Sequence, residues 1–210
     1  MPPNESSGPR DIILDAASAV FAEHGFAGAR VDEIAARAGV NKAMLYYRIG
    51  DKKQLYAAVI MRNFDRVDAA LAEAETEGDA RQRLEAVIAG LSRVVQEVPD
   101  HPRIVLREIA SGGATLPPEV VGRFVRAIGV VRSLLREGVE SGEFRPLDPL
   151  LAHLTLVGSV IFLASSSSIR TRMSELLPDG ALPKPTADIA AFLSTLLLDG
   201  LAAKSESGGT

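Results

Sequence analysis

The sequence of 210 residues contains no cysteine and no tryptophan, and aromatic residues make up only 5% of it. Because cysteine is absent, the chain can form no disulfide, offers no thiolate nucleophile and cannot build a cysteine-ligated zinc or iron–sulfur site. Three histidines remain as metal ligands, His24, His101 and His153, and no second histidine or carboxylate lies four residues after His153. We therefore expect neither a metal site nor a cofactor.

Long hydrophobic runs are also missing. The most apolar stretch, Leu150–Ala164, contains His153, Thr155 and Ser159, and it is shorter than the ~20 residues that a membrane-spanning helix needs. The first ten residues contain no apolar stretch of the kind found in signal peptides. These absences predict a cytoplasmic protein without a membrane partner, in which residues 150–164 form a buried helix.

Signatures of catalysis are equally scarce. The hydroxyl-rich run Ser165–Ser168 has no base placed near it by sequence. The chain contains no Gly-Xaa-Ser-Xaa-Gly motif, no phosphate-binding loop and no paired-carboxylate pattern. We do not expect an enzyme.

Helical periodicity dominates what is present. Apolar residues recur every three to four positions and almost never alternate, which predicts an all-α fold. Glycine, proline and capping residues divide the chain into helices at about 11–24, 31–38, 42–48, from 52 onward, and at 80–97, 102–111, 118–141, 149–175 and 186–204. Gly25 is expected to end the first of them. The polar termini, residues 1–9 and 205–210, are predicted to be disordered tails.

Charge is distributed unevenly along the chain, whose net charge is −4. Residues 1–64 carry eight Lys or Arg and seven Asp or Glu, whereas residues 65–210 carry 15 and 20. Between positions 37 and 53, five cations accompany a single acid, Asp51. This asymmetry favours a small anion-contacting module attached to a larger acidic body.

Residues 31–47 have the pattern of a helix-turn-helix: two short helices joined by a tight turn through Gly39. Asn41 is suited to cap the second helix, and Leu45 is its apolar anchor. Tyr46 and Tyr47 point about 100° apart, so at most one is fully buried, and Tyr47 is expected to be the more exposed. The second helix, about 10 Å long, fits a DNA major groove about 12 Å wide.

At these residues the chain resembles the DNA-binding domain of the TetR (tetracycline-repressor) family of bacterial transcription regulators. The matching segments, in chain order, are Phe21-Ala-Glu-His-Gly-Phe26, Ile34-Ala-Ala-Arg-Ala-Gly-Val40, Leu45-Tyr-Tyr47 and Asp51-Lys-Lys-Gln-Leu55. The resemblance covers about residues 10–58 closely. The sequence departs from the pattern at Arg30, where the family usually has a capping threonine, at Met44 and at Arg48-Ile49.

The resemblance implies a homodimer that binds a palindromic double-stranded DNA operator, usually as a repressor, and releases it when a small-molecule effector enters the C-terminal domain. Residues 10–55 would form the three-helix helix-turn-helix domain, and residues 56–204 a helical ligand-binding and dimerisation domain. The residues it would place on DNA are Lys42, Ala43, Tyr46, Tyr47, Arg48 and Lys52. We also count Arg30 and Asn41 among the predicted DNA contacts.

Three plainer interpretations stay open. The cations around the second helix could form an ordinary solvated basic face, and Arg30 could merely shield the turn. The whole chain could also be an all-α protein-interaction module that binds no DNA. Affinity for duplex DNA that falls steeply with salt distinguishes a DNA-binding protein from such a module.

The C-terminal half suggests two further sites. Leu150–Ala164 and Ile189–Leu201 are apolar on more than one face, which predicts a dimer interface because both faces then need a cover. The expected interface residues are Leu154, Val157, Ile161, Phe192, Leu193 and Leu196. A few polar groups among the aliphatic residues of 80–175 predict a pocket for an apolar effector, lined by Arg107, His153, Val157, Phe162 and Met173. Arg107 could instead pair with a neighbouring carboxylate, and His153 could be structural.

Overall fold

The computed structural model describes residues 8–74, 78–177 and 188–202, and within them the only β pairing is an isolated antiparallel bridge between Phe144 and Ala202. The all-α prediction is confirmed. The tails predicted at 1–9 and 205–210 lie outside the described residues, apart from Gly8 and Pro9, and Pro9 is the first residue of a helix.

The helices follow the predicted order closely. In chain order they are α1 (Pro9–Gly28), α2 (Val31–Arg37), α3 (Lys42–Arg48), α4 (Lys52–Ala74), α5 (Ala80–Glu97), α6 (Asp100–Ala110), α7 (Pro118–Glu140), α8 (Pro149–Ser165), α9 (Ser167–Leu176), α10 (Ile189–Leu193), a π-helical turn (Ser194–Leu198) and α11 (Asp199–Leu201).

These helices form two compact units. The first contains residues 8–66 and 98–123, and the second contains residues 67–74, 78–97, 124–177 and 188–202. The units do not divide at the predicted boundary of 55 and 56, because α6 packs on α1 inside the first unit. A functional division at residue 55 remains a prediction.

The core of the first unit is built on the inward faces of α1, α2, α3, α4 and α6. Its fully buried side chains include Ile13, Leu14, Phe21, Ile34, Leu45, Leu55, Tyr56 and Ile104. The Tyr56 ring lies edge-on to Phe21, with centroids 4.6 Å apart, and 5.2 Å from Phe26. Such aromatic contacts add to the free energy that burial itself provides, and they join α1 to the beginning of α4.

The end of α1 is interrupted as predicted. Gly25 has φ +67° and ψ 176°, which breaks the helical path before a last short turn that ends at Gly28. A left-handed φ is a conformation that glycine adopts without a steric penalty.

In the second unit α8 packs chiefly on α5, and α10 packs on both. Asp148 caps α8 by accepting hydrogen bonds from the amides of Leu150 and Leu151, at 2.8 and 3.0 Å. Gly138 of α7 lies so close to the Phe144 ring that a Cβ there would be 2.2 Å from a ring carbon. The chain therefore needs glycine at this position.

The prediction of one continuous helix over 149–175 is wrong. α8 ends at Ser165, and α9 follows at an angle of 59°. At the break, the Ser166 hydroxyl donates to the carbonyl oxygen of Leu163 at 3.2 Å, and Arg170 donates to the same carbonyl. Serine side chains that bond nearby backbone groups in this way compete with the helical ladder.

The prediction that residues 150–164 form a buried helix is also wrong for the single chain. Only His153, Leu156 and Val160 of α8 are buried, because these three residues share the face that packs on the rest of the unit. None of the described helices is by itself long and apolar enough to cross a membrane; α8 and α9 reach that length only as a bent pair.

His101 is the buried histidine of α6, and it generates a prediction about pH. Its ring lies edge-on to Phe64 at 6.1 Å, and burial lowers its pKa from 6.5 to about 4. Below pH 6.5 the His101 imidazole is protonated in the unfolded chain but stays neutral in the native state. The contribution of this histidine to stability is therefore complete above pH 6.5 and decreases towards pH 4. We expect the free energy of unfolding to fall by up to about 3 kcal/mol over this interval.

Urea unfolding followed by circular dichroism between pH 4 and 7.5, at fixed protein concentration, measures this loss. His101→Leu should flatten the profile. Ile104→Val, a control that trims a buried side chain of the same helix, should lower stability without changing its slope against pH. An unchanged slope in His101→Leu would contradict the assignment.

Candidate nucleic-acid interface

The turn between α2 and α3 is set by Gly39, whose φ is +65°. The amide of Gly39 donates to the Ala36 carbonyl at 3.2 Å, and the amide of Val40 donates to the Ala35 carbonyl at 3.0 Å. This pair of bonds is the Schellman arrangement that ends a helix on a left-handed residue. The predicted tight turn is thus present, and it sends the chain directly into α3.

Asn41 begins α3 in the way the sequence indicates. Its side-chain Oδ1 accepts a hydrogen bond from the Met44 amide at 2.7 Å, which satisfies one of the amides that lack partners at a helix start. Asn41 is also among the predicted DNA contacts. In the protein alone, its side-chain oxygen caps α3.

The anchoring residue of α3 is Leu45, which is fully buried while its helical neighbours are exposed. Tyr47 is 92% exposed and Tyr46 43% exposed, so the expectation for this pair is confirmed. A large aromatic ring that is almost wholly in water is a feature of binding surfaces. The residues presented beside Tyr46 and Tyr47 are Lys42, Ala43, Met44 and Arg48.

Lys42 has a partner that the sequence did not suggest. Its Nζ lies 2.9 Å from Oδ1 of Asp32, in the first turn of α2. This hydrogen bond raises the pKa of Lys42. The two residues are ten positions apart and belong to different helices, so no local pattern predicted the pair.

Lys52, at the start of α4, is held against α1. Its Nζ donates to the carbonyl oxygen of Ala27 at 3.2 Å and lies 4.9 Å from the centre of the Phe26 ring. The same helix start carries the predicted cap, Asp51, which accepts from the Gln54 amide at 2.8 Å while Gln54 accepts from the Asp51 amide at 2.9 Å. This is a capping box.

Arg30 stands immediately before α2, is exposed, and makes no capping hydrogen bond with its side chain. The departure from the usual threonine therefore leaves this helix start without a side-chain cap. Asp32 and Glu33 in the first turn offset part of that loss, because carboxylates are stabilised at helix N-termini.

An ion-pair network joins α2 to the end of α1. Arg37 donates to both carboxylate oxygens of Glu23 at 2.8 and 2.6 Å and to Glu33 at 2.7 Å. The bonds from Arg37 lower the pKa of Glu23. His24 lies 3.6 and 3.5 Å from the same two carboxylates, a grouping close enough to hold a metal ion, but the guanidinium of Arg37 already supplies the positive charge there.

A buried carboxylate of α6 reaches α4 within the same unit. Glu108 is 5% exposed and accepts hydrogen bonds from the Tyr56 hydroxyl at 2.5 Å and from the Thr115 hydroxyl at 2.8 and 3.0 Å. Burial and this bond raise the pKa of Tyr56. The preceding residue, Arg107, donates to the carbonyls of Ala22 and Glu23 at 3.1 and 2.8 Å.

The geometry of α1 to α4 agrees with comparisons to known proteins. Residues 13–59 match the profile of "Bacterial regulatory proteins, tetR family", and residues 77–165 match that of "Tetracyclin repressor-like, C-terminal domain". The chain belongs to the TetR family. It is therefore a DNA-binding transcription regulator, and α3 is the second helix of its helix-turn-helix.

Individual relatives agree with this assignment. The chain is 30% identical to the HTH-type transcriptional repressor NicS of Pseudomonas putida, over 91% of this chain and 92% of NicS. It is 30% identical to the HTH-type transcriptional regulator RutR of Escherichia coli, over 68% of both chains. The fold is similar to that of the ketosteroid transcriptional regulator KstR2 of Mycobacterium tuberculosis, with a TM-score of 0.75, 20% identity, and coverage of 95% and 98%.

The TetR resemblance does not settle the predicted effector residues. Arg107 lies in the first unit, where its guanidinium is bound to the end of α1 and to no carboxylate partner among the described residues. The other four lie in the second unit: His153 is buried, Val157 is half-buried, and Phe162 and Met173 are exposed. Nδ1 of His153 has no hydrogen-bond partner in the described part of the chain, and burial lowers the pKa of this histidine.

The predicted dimer residues of this TetR-family chain differ in exposure. Leu154, Phe192 and Leu196 are 54 to 57% exposed, and Val157 and Ile161 are half-buried. Leu193 is only 2% exposed, because it points about 100° away from Phe192 and into its own unit. A groove of about 330 Å³ runs beside these residues, lined in part by Leu151, Thr155, Leu156, Leu196, Leu197 and Leu201.

Proposed function

We propose that this TetR-family regulator is a homodimeric repressor that binds a palindromic operator through α3 and is released by a small apolar or amphipathic molecule. The observation that carries the proposal is the outer face of α3, where two exposed tyrosines lie between Lys42 and Arg48 while Leu45 holds the helix in the core.

The chemistry of this face suits duplex DNA. The seven residues of α3 span about 10 Å, so the helix enters the major groove with its N-terminal end foremost. Lys42, Ala43, Tyr46 and Tyr47 would then contact bases and backbone. Arg48 and Lys52 would contact phosphates on either side, together with Arg30 and the helix start at Asn41.

Lys52 is suited to a phosphate because it is already ordered. One of its three protons is donated to Ala27, and the other two remain for an acceptor. Since the side chain is held against α1, binding would lose less conformational entropy than an unrestrained lysine loses.

Dimerisation is supported by the apolar face that α8 and the C-terminal helices leave in water. Leu151, Leu154 and Phe162 lie along one stripe of α8, and Phe192 and Leu196 lie one turn apart. A second copy that brings the same face would cover all of them in an arrangement of four helices about a two-fold axis. Leu193 would contribute by holding α10 in place.

Repression is favoured because NicS, which aligns with this chain over 92% of its own length, is named a repressor. Release by an effector is supported by buried polar atoms that lack partners. Among the described residues these atoms include Nδ1 of His153 in the second unit. In the first unit they include Nδ1 of His101 and both amide atoms of the fully buried Asn63. Unsatisfied buried groups are costly, and a bound molecule that offers one or two polar atoms would relieve that cost.

Within the first unit, a chain of contacts joins α6 to the DNA-binding helices. Arg107 attaches α6 to the end of α1, and Glu108 attaches it to Tyr56 of α4. The Tyr56 ring packs on Phe26, and the Phe26 ring contacts Lys52. A displacement of α6 would therefore reach the base of the DNA-binding helices. A coupling free energy of about 1–3 kcal/mol, typical of allosteric proteins, would change operator affinity by about 5- to 150-fold.

Selection of bound sequences from a random duplex pool should recover a palindrome. Tyr47→Ala should weaken binding to it without changing thermal unfolding, because the side chain is 92% exposed.

Lys52→Ala should lower the slope of log affinity against log salt by about one per half-site, and Lys42→Ala should relax base preference by ~1–3 kcal/mol. Arg136→Ala, which removes an exposed cation of the second unit, is the control; undiminished affinity in all three variants would contradict the proposal.

Light scattering at micromolar concentration should find a dimer. Leu196→Glu or Val157→Glu should produce monomers or aggregates, because a carboxylate would enter the apolar interface, and specific DNA binding should then drop sharply. Ile109→Glu, at an exposed apolar position of the first unit, should remain a dimer. A monomeric wild-type protein would refute this arrangement.

An effector should raise the melting temperature and weaken operator binding over the same concentration range, because linkage requires both effects to arise at one site. A panel of medium-chain alcohols, carboxylic acids and small aromatic molecules, screened by thermal shift, tests this. His153→Leu should reduce both effects together. Met61→Leu, a change at a half-buried position of α4 in the first unit, should change neither. Stabilisation without any change in DNA affinity would show that the bound molecule is not an effector.

A further inference from the structure

The ion pair between Asp32 and Lys42 occupies the surface proposed to face DNA. Within α3 the cations are Lys42 and Arg48, and Nζ of Lys42 lies 2.9 Å from the Asp32 carboxylate. The side chains are 47% and 74% exposed, so both are accessible to an approaching duplex.

Asp32 has no other ion-pair partner among the described residues. The nearby cation, Arg37, is bonded to Glu23 and Glu33 instead. Besides its favourable place in the first turn of α2, the Asp32 carboxylate thus has one ion-pair partner among these residues, Lys42, on the helix that follows the turn.

We propose that Asp32 is a specificity-determining residue that competes with DNA for the ammonium group of Lys42. An exposed ion pair contributes little to stability, so DNA can break it. Breaking it leaves an unpartnered carboxylate beside a polyanion, and only an acceptor well placed for Lys42, such as the edge of a guanine, compensates for that repulsion.

The consequence is selective. On a non-operator duplex, Lys42 meets phosphates in imperfect geometry, and Asp32 retains it. On the operator, Lys42 leaves Asp32 for its base contact. Asp32 thus lowers affinity for every duplex but lowers it more for the wrong ones. This inference rests on the proposed DNA-binding face.

The test compares Asp32→Asn, Lys42→Met and the double variant on two 30-base-pair duplexes. One duplex is selected by the wild-type protein from a random pool, and the other is a scrambled sequence of the same composition. Asp32→Asn should tighten binding to the scrambled duplex about fivefold or more at low salt and to the selected duplex by about twofold, an advantage that shrinks as salt rises. The ratio of the two affinities then falls.

Three comparisons make the result decisive. Asp32→Glu keeps the charge and should retain discrimination. Asp15→Asn removes another exposed carboxylate of the same unit, one that pairs with Arg62 at 2.7 Å, and should alter the affinity for neither duplex by more than about twofold. In the Lys42→Met background, Asp32→Asn should no longer change the affinity ratio.

The proposal is overturned if Asp32→Asn leaves the ratio unchanged, if Asp15→Asn lowers it equally, or if the effect persists without Lys42. In those cases the wild-type protein still discriminates between the duplexes, and the proposed function stands. If the wild-type protein binds neither duplex, the proposed function itself fails, and this inference fails with it.

Discussion

The end of α1 is the constraint on which the DNA-binding half of this protein depends. Gly25 breaks the helix with a left-handed φ, and the carbonyls near a helix end lack intrahelical partners and carry partial negative charge. Cations from three other helices bind there: Arg107 binds the carbonyls of Ala22 and Glu23, Arg37 binds the Glu23 side chain, and Lys52 binds the Ala27 carbonyl. One helix end thereby aligns α2, α4 and α6.

This arrangement explains how a seven-residue helix holds a defined position. α3 buries a single large side chain, Leu45, and an isolated helix of this length is unstable in water. Its position comes from its neighbours: the Gly39 turn joins it to α2, and α2 is tied to α1 through Arg37. The outer face of α3 is consequently free to carry residues chosen for DNA rather than for packing.

Two lysines near that face, Lys52 and Lys42, are held by different kinds of group. Lys52 is restrained by a neutral carbonyl and an aromatic ring, which leave its charge uncompensated. Lys42 is restrained by a carboxylate, which offsets its charge. Two lysines that look equivalent in the sequence thus have different electrostatic environments.

Local physics made much of this molecule predictable. The spacing of apolar residues indicated the helices, Gly25 and Gly39 indicated two of the turns, Asn41 and Asp51 indicated caps, and the Ile34–Val40 and Leu45–Tyr47 segments indicated the TetR family, because each signal is contained within a few neighbouring positions. The break at Ser166 was not predicted, although it lies in the run Ser165–Ser168, because serine occurs both inside helices and at their ends.

Only the tertiary structure decided which distant groups meet. Arg107 binds a carbonyl 85 residues away, Tyr56 and Glu108 are 52 residues apart, and Asp32 reaches Lys42 across a turn. Such pairs depend on how the helices pack, and the type of a charged or hydroxyl side chain does not indicate which distant group it will bind. The helices and the family were therefore determined by the sequence itself, whereas the grouping of α6 with the DNA-binding helices and the partners of Lys42, Lys52 and Arg107 were determined by packing.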